Sequence, residues 1–558
     1  MPDRALTFSF ILVFMFINVL WLVHSLILLP SLYFLLVYSG YLITSSIFLL
    51  KSDIWKLSYK LLVLLPTVVI VSSLSYVGVP WDVAHIDPDS NYVEQLVKLY
   101  IGNGRITMGI GTGEAPNYSF YPFTETLYLI LCSIMNIDPS CLLRTWFIIS
   151  STLSFLILYI AYKQIVHAHI ALIASFIAVT MFRCNFQLVT NPTHPSMAFL
   201  FLTIFLFLFF KALNNRKSEV IVIIVTLVIA IIHNTTAPMM LEISAFYFIL
   251  RLVLGIGNRK FASFDKSLYR LALLLSVFFF SYNLYVAFHY FEKGVVPNVL
   301  DFLTSIIFKE FSPIKFFSAK YELYISKNTT KLGLAIVKPL FYFGYISAGL
   351  FISLFLLDLL RRLIKRYKFS NNEKTDVIYL FSVATLGSLV INSYFWFAWR
   401  IASDYYYRFF AYTYIFLAIP VTSLIVRLYK ANAKIKMVPV LMLTMILAQS
   451  LILTHPVSLF GTDTPLTLED VRIGPRQAIS IAYYLENYYD GNHVFGTRYA
   501  FNIIGPRAIV EVSELRATET LRKGELNIIS LIESKILNLK FPENFNILFS
   551  TGGFWIAG

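Results

Sequence analysis

The chain is 558 residues long, 58% hydrophobic and 17% aromatic, with only 14% charged residues. Soluble domains carry about 45–50% apolar and about 25% charged residues, so a water-soluble globule is excluded and lipid is implied as a second solvent. The formal net charge of +14 does not indicate nucleic acid, because Lys and Arg sit mostly in short connections between apolar runs, where they set orientation.

The first 24 residues are polar for four positions, then apolar, and lack a small-residue cleavage site, so a retained first span is expected. Apolar runs long enough to cross about 30 Å of hydrocarbon at about 1.5 Å per residue lie near 5–24, 26–50, 61–79, 141–162, 196–213, 236–257, 267–291, 332–360, 375–397, 407–429 and 436–455. Shorter runs lie near 167–182 and 219–233. The segment 121–137 decides the topology. If it does not cross, the basic clusters Lys51/Lys56/Lys60, Lys211/Arg216/Lys217, Arg259/Lys260/Lys266, Arg361/Arg362/Lys365/Arg366/Lys368 and Arg427/Lys430/Lys434/Lys436 all face one side. The positive-inside bias makes that side the cytoplasm.

The expected fold is therefore an all-α polytopic membrane protein of about 13 transmembrane helices. Its N-terminus is cytoplasmic, its C-terminus extracytoplasmic, and a prokaryotic cell membrane is its expected location. The segment 121–137 becomes a helix at the outer interface, a wet position that Pro122 and Glu125 suit. The transmembrane domain runs over 1–455, with outer loops 80–140 and 292–331, and sequons at Asn117 and Asn328 fall outside. A small extracytoplasmic α/β appendage occupies 456–558. Within it, strands are expected at His493-Val-Phe-Gly, Ala508–Val512 and Asn546–Ser550, with helices over Arg476–Tyr489 and Glu525–Leu537.

The most informative stretch follows the third span: Trp81-Asp82-Val83-Ala84-His85-Ile86-Asp87-Pro88-Asp89-Ser90-Asn91-Tyr92-Val93-Glu94. Asp82, His85, Asp87 and Asp89 concentrate negative charge at a membrane exit. Carboxylates at i and i+2 can chelate a hard divalent cation, Mg or Mn, or supply one general base held by its neighbour. The alternative is that Asp87 and Asp89 cap the helix starting near Ser90. Tyr92 to Tyr100 is amphipathic, Gly102-Asn103-Gly104 ends it, and the Gly-rich stretch 105–119 carries Glu114. A short interfacial helix and a flexible loop would form a lid over an outer-face pocket. Gly109-Ile110-Gly111-Thr112-Gly113 lacks the following Lys and the preceding strand of a nucleotide loop.

The order of these parts is an apolar span, Asp89 with Tyr92 three residues on, and a helix ended by Gly. Tyr121-Pro122 then opens a short apolar helix, and Arg144 starts the next span. This order resembles the GT-C superfamily of polytopic glycosyltransferases, which includes protein mannosyltransferases, aminoarabinose transferases and other enzymes that use lipid-phosphate sugars. The resemblance implies that an acid of the first outer loop is the catalytic base or supports it, with Asp89 the best match and Asp87 next. Typical members carry adjacent Asp-Glu, whereas Pro88 separates two Asp here, and two extra spans precede the motif.

Later outer-face features fit the same picture. Asn191-Pro192-Thr193-His194-Pro195 and Ile232-His233-Asn234-Thr235-Thr236-Ala237-Pro238 are turns, in which His194 and His233 are either substrate ligands or hydrated bystanders. Trp399-Arg400-Ile401-Ala402-Ser403-Asp404-Tyr405-Tyr406-Tyr407-Arg408 stands between two late spans. The resemblance places an Arg before an aromatic residue there, and Arg408 precedes Phe409. A guanidinium offers a planar fork to a lipid-carrier phosphate; the other reading is an outer anchor in an aromatic belt, with Asp404 pairing Arg400 or Arg408.

The function implied is transfer of a sugar from a polyprenyl-phosphate donor to a glycan, lipid or protein acceptor at the outer face, by inverting single displacement. Asp89 and Asp87 form the catalytic set. Arg408, Asp404, Arg400, Tyr92, His85, Asp82, Glu114, His194 and His233 form the substrate-binding set. Rival readings are a transporter or flippase, which would place ionisable residues in mid-span, a lipid-linked glycan polymerase or ligase, and a non-catalytic scaffold. Glu242 and Asp358 are the nearest to mid-span acids, each close to a boundary.

Overall fold

The computed structural model describes residues 31–51, 57–73, 88–108, 119–181, 192–212, 219–233, 235–253, 262–288, 346–347, 349–361, 373–399, 403–431, 436–447, 493–497, 511–515, 527–530, 547–550 and 554–557. The helices are α1 Ser31–Lys51, α2 Leu57–Ser73, α3 Pro88–Asn103, α4 Phe123–Met135, α5 Pro139–Lys163, α6 Ala168–Thr180 and α7 His194–Ala212. They continue with α8 Glu219–Ile232, α9 Thr236–Val253, α10 Ala262–Tyr285, α11 Glu373–Trp399, α12 Ser403–Ala431 and α13 Met437–Leu447. Helical backbone also runs over 349–361.

Apolar runs become helices here because hydrocarbon offers no partner for backbone N–H and C=O groups, and a helix satisfies them within its own segment. Among the described residues, four helices are long and apolar enough to cross a membrane: Pro139–Lys163, His194–Ala212, Asp265–Tyr285 and Ala411–Ala431. Others that fall on expected spans, such as α6 and α8, are shorter. Basic residues close several helices, Lys51, Lys163, Lys211, Arg251 and Lys430, where positive charge complements the C-terminal partial charge of the helix dipole.

The main core lies where α2, α5, α6, α7, α9, α11 and α12 meet. Phe155, Phe176, Phe199, Tyr247, Ala384 and Leu417 are among its fully buried members. Pro420 interrupts α12. Proline has no N–H for the carbonyl four residues earlier, which is Phe416, and Ser382 Oγ of α11 reaches that oxygen at 3.0 Å. Tyr162 of α5 donates to the adjacent Ile415 carbonyl at 2.6 Å. The Ser382 hydroxyl thus takes up the acceptor that the proline leaves open, and the Tyr162 bond adds a second link to the same turn of α12.

The expected outer-interface helix is α4. Its 13 residues rise only about 20 Å, short of the hydrocarbon thickness. Its expected wet character is corrected in one respect: Glu125 is fully buried, because the face that carries it turns toward α7 and not toward water. Ile130, Ser133, Ile134 and Met135 are the exposed residues of this helix.

Among the described residues, five short strands lie in the C-terminal stretch: β1 His493–Thr497, β2 Glu511–Leu515, β3 Asn527–Ser530, β4 Ile547–Ser550 and β5 Phe554–Ala557. They form one mixed sheet of order β2-β1-β3-β5-β4. β1 is parallel to β2 and β3, and β5 is antiparallel to β3 and β4. β3 lies where a helix over Glu525–Leu537 was expected. Its apolar Ile528 and Ile529 suit either period, and pairing with β1 and β5 on both sides decides for strand. The helix expected over 476–489 lies outside the described residues.

Candidate functional site around the third helix

Helix α3 carries Asp89 in its first turn, directly after Pro88. Proline is at home there, since the first helical N–H needs no partner. Asp82, His85, Asp87, Glu114 and Arg400 lie outside the described residues. The backbone alone of Asp89, Asp404 and Arg408 is described, with Asp404 and Arg408 in the first two turns of α12.

The rest of α3 is seated on the bundle. Tyr92, Leu96 and Tyr100 recur at intervals of four and are buried against Leu129 of α4. Val93 and Val97 meet Tyr128 and Cys132 of α4 and Leu142, Leu143 and Trp146 of α5. Glu94 Oε1 accepts from Lys98 Nζ and from Ser140 Oγ, both at 2.6 Å, tying α3 to the start of α5. Gly104 ends the helix with φ +62°, a left-handed conformation that glycine adopts without strain.

A buried polar cluster sits beside this seat. His194, the first residue of α7, is 2% exposed. Its Nε2 lies 3.1 Å from the Tyr121 carbonyl and 3.1 Å from Glu125 Oε1. A carbonyl can only accept, so that hydrogen bond requires a proton on Nε2. Tyr121 Oη donates to Asn283 Oδ1 of α10 at 2.6 Å, and Tyr282 Oη donates to the Phe120 carbonyl at 2.7 Å. Trp146 Nε1 donates to Ser196 Oγ at 2.9 Å. The segment 119–122, α4, α5, α7 and α10 are therefore joined at one level. Burial above all, then the Glu125 and Tyr282 charges, push the Tyr100 hydroxyl well above the usual tyrosine range.

His233 forms a second knot. Its Nδ1 pairs with Thr236 Oγ1 at 2.8 Å and with Thr235 Oγ1 at 3.0 Å. Thr236 Oγ1 in turn meets Tyr412 Oη of α12 at 3.1 Å. Tyr412 stands four residues after Arg408, one helical turn along. Beside this knot a small apolar cavity of about 50 Å³ lies between α7, α9, α11 and α12, lined by Phe205, Met239, Phe381, Tyr412 and Phe416 among others.

Of the residues expected from sequence, Tyr92, His194 and His233 are placed in buried positions at these knots. Neither histidine is a surface bystander. Glu125, Tyr121 and Asn283 were not anticipated as site residues, although an acid in the apolar run 121–137 was a visible signal. Among the described residues no group of three or more His, Cys, Asp or Glu could hold a metal ion.

No protein-family model and no curated protein matches the chain. Solved structures that the chain is similar to include an archaeal oligosaccharyltransferase and a mycobacterial arabinofuranosyltransferase. The oligosaccharyltransferase of Archaeoglobus fulgidus, tethered to an acceptor peptide, matches at 15% identity over 82% of this chain and 64% of its own, with a TM-score of 0.49. The same enzyme with an inhibitory peptide and a dolichol-phosphate matches at 16% identity over 82% and 65%, with a TM-score of 0.45. A mycobacterial arabinofuranosyltransferase matches at 10% identity over 90% of this chain and 41% of its own, with a TM-score of 0.38. The chain thus spans less than two thirds of the length of each. Likeness of this degree is a loose agreement in helix arrangement and assigns this chain no substrate.

Proposed function

We propose that this chain is a membrane glycosyltransferase of the GT-C type, moving a sugar from a polyprenyl-phosphate donor to an acceptor hydroxyl at the extracytoplasmic face. Asp89, assisted by Asp87, takes the proton of the acceptor hydroxyl. The acceptor oxygen attacks the anomeric carbon as the bond from that carbon to the phosphate oxygen breaks. The phosphate leaves with both bonding electrons, stabilised by Arg408. One displacement inverts the anomeric centre and needs no nucleophilic Ser or Cys. Asp82, His85, Tyr92, Glu114, Arg400, Asp404, His194 and His233 are the further candidates for the substrate-binding set. Asp87 and Asp89 are the residues that would hold Mg or Mn, whose chemistry when bound would be to neutralise the charge on the departing phosphate.

The observation that supports this reading is the seating of α3. The helix that opens with Asp89 is packed into the outer end of the bundle through Tyr92, Val93, Leu96, Val97 and Tyr100. A loop needed only for solubility would have no reason to bury these side chains. The topology that goes with the proposal has the N-terminus cytoplasmic and the 456–558 stretch as an extracytoplasmic domain.

The test is transfer of radiolabelled sugar from a polyprenyl-phosphate donor in membranes carrying wild type, Asp89→Asn or Arg408→Gln. Loss of a general base lowers the rate by about 10²–10⁴-fold, and the product of wild type has the inverted anomeric configuration. Equal transfer by Asp89→Asn removes the base assignment, and retention at the anomeric carbon removes single displacement. One observation favours a transporter instead: Glu242, within α9, accepts from Asn392 of α11 at 2.8 Å. If that reading holds, Glu242→Gln abolishes lipid movement and Asp89→Asn does not.

A further inference from the structure

Glu125 has no part in the displacement above, yet among the described residues it is the most deeply buried acid at this end of the bundle, at 0% exposure. Its Oε1 faces His194 Nε2 at 3.1 Å, and neither carboxylate oxygen has a hydrogen-bond partner among the described residues. An acid left in such a place costs stability unless its charge is met. Three features meet it. It is the third residue of α4, and His194 is the first of α7, so two helix N-termini, each with partial positive charge, flank the carboxylate. The third is the proton that His194 must carry on Nε2 to bond the Tyr121 carbonyl.

Removing the charge would loosen α4 from α7. The effect would reach α3, because Tyr92, Leu96 and Tyr100 have Leu129 of α4 as their partly buried neighbour. The first turn of α3 bears Asp89. We propose that Glu125 is a positioning residue: with His194 it clamps α4 to the start of α7, and through α4 it sets where α3 presents Asp89. The catalytic half of this statement rests on the reading of Asp89 as the base; the clamp itself does not.

The experiment uses the full chain in lipid, as wild type, Glu125→Gln, His194→Gln and the double variant. Glutamine keeps the shape of Glu125 and removes its charge. Amide hydrogen exchange is followed over 88–103 and over 373–431, alongside kcat and donor KM for a polyprenyl-phosphate sugar. A lost charge-assisted contact corresponds to about tenfold or more. Each single variant should therefore speed exchange in the first turns of α3 by about tenfold, with α11 and α12 unchanged. The double variant should exchange no faster than the faster single one, since the two residues act as one clamp. The kcat should fall about tenfold in parallel while donor KM stays within about twofold.

Unchanged exchange over 88–103 overturns the proposal. So does acceleration spread equally over α11 and α12, which would mean general destabilisation, and so does additivity of the two substitutions. A variant that does not accumulate is replaced by Glu125→Asp, which keeps the charge: exchange as fast in Glu125→Asp as in His194→Gln also overturns it. If wild type transfers no sugar while the exchange pattern appears as described, the clamp stands and the glycosyltransferase reading fails.

Discussion

Tyr121→Phe is the most informative single change, because it deletes one oxygen and little else. Tyr121 is 4% exposed and Asn283 is 1% exposed. The hydroxyl donates to Asn283 Oδ1 at 2.6 Å, while the ring packs against Tyr282 with centroids 5.7 Å apart. Phenylalanine keeps the ring contact. A made hydrogen bond contributes about 0.5–1.5 kcal/mol net, and an acceptor left buried without a donor raises the loss to about 1–3 kcal/mol. A destabilisation of about 2 kcal/mol is expected, some thirtyfold in the folded-to-unfolded ratio. The Asn283 amide also donates to its own Phe279 carbonyl at 2.8 Å, an acceptor the helix can serve without it. Tyr121→Phe combined with Asn283→Leu removes both polar partners and should recover to within about 0.5 kcal/mol of wild type. Equilibrium unfolding in mixed micelles measures all three. A single variant as stable as wild type, or a double variant less stable than the single, would refute the claim that this pair fastens the loop before α4 to α10.

Three further changes test other parts of the molecule by the same measurement. Gly104→Ala meets no atom within 4 Å, so only its φ of +62° opposes the new Cβ; a cost of about 1–2 kcal/mol is expected, and Gly104→Asn should cost less. Arg427→Met strips the guanidinium, 2.7 Å from Asp358 Oδ1, and leaves that buried acid accepting from the Tyr379 hydroxyl without the neutralising charge. The expected loss is about 3 kcal/mol, at the low end for a broken buried pair because Arg427 itself is half-exposed. Tyr100→Phe bears on alkaline stability. The folded hydroxyl holds its proton to higher pH than the unfolded one, whose pKa is about 10. Wild type therefore loses stability as pH rises above about 10, where the unfolded state binds fewer protons. The Phe variant should show a shallower loss, read from unfolding midpoints between pH 9 and 11.

The spans were legible because lipid leaves the backbone one economical solution per apolar segment. The run near 141–162 is the helix Pro139–Lys163, and the run near 407–429 lies within Ser403–Ala431. Composition alone carries that inference, since no distant partner is needed to satisfy the hydrogen bonds. The turn after α3 was legible for a similar reason: Gly102-Asn103-Gly104 contains the residue that the left-handed position needs. The C-terminal sheet was less so. A strand of four residues such as Asn527–Ser530 has no period to read, and the pairing that makes it a strand comes from β1, some thirty residues earlier, and from β5, later in the chain.

The site was legible only where charge is dense in sequence. Three Asp and one His within eight residues drew attention to the first outer loop, whereas Glu125 and His194, 69 residues apart, gave separate and weaker signals. Their chemistry exists only after α4 and α7 have been brought together. The same limit explains Ser382 and Phe416: the proline in α12 is plain in sequence, but the hydroxyl that serves the freed carbonyl belongs to another helix.

An apolar bundle makes each buried polar contact more consequential than in a soluble fold. Packing between helices in lipid lacks the hydrophobic drive available in water, so van der Waals fit and interhelical hydrogen bonds must hold the arrangement. Two clusters stand out among the described polar links between helices. Asp358, Arg427 and Tyr379 join three helices at the end where the basic clusters lie. The Tyr121, Glu125, His194 and Asn283 cluster, with the His233 knot beside it, joins the other end. The first arrangement is a closed pair that neutralises itself. The second contains an acid met chiefly by helix ends and an imidazole, adjacent to the helix that opens with Asp89. Structural economy alone would favour Gln or Leu at 125, because a neutral residue avoids the cost of burying a carboxylate. The acid at 125 is therefore better explained by the proposed clamp on α3 than by what the bundle needs to fold.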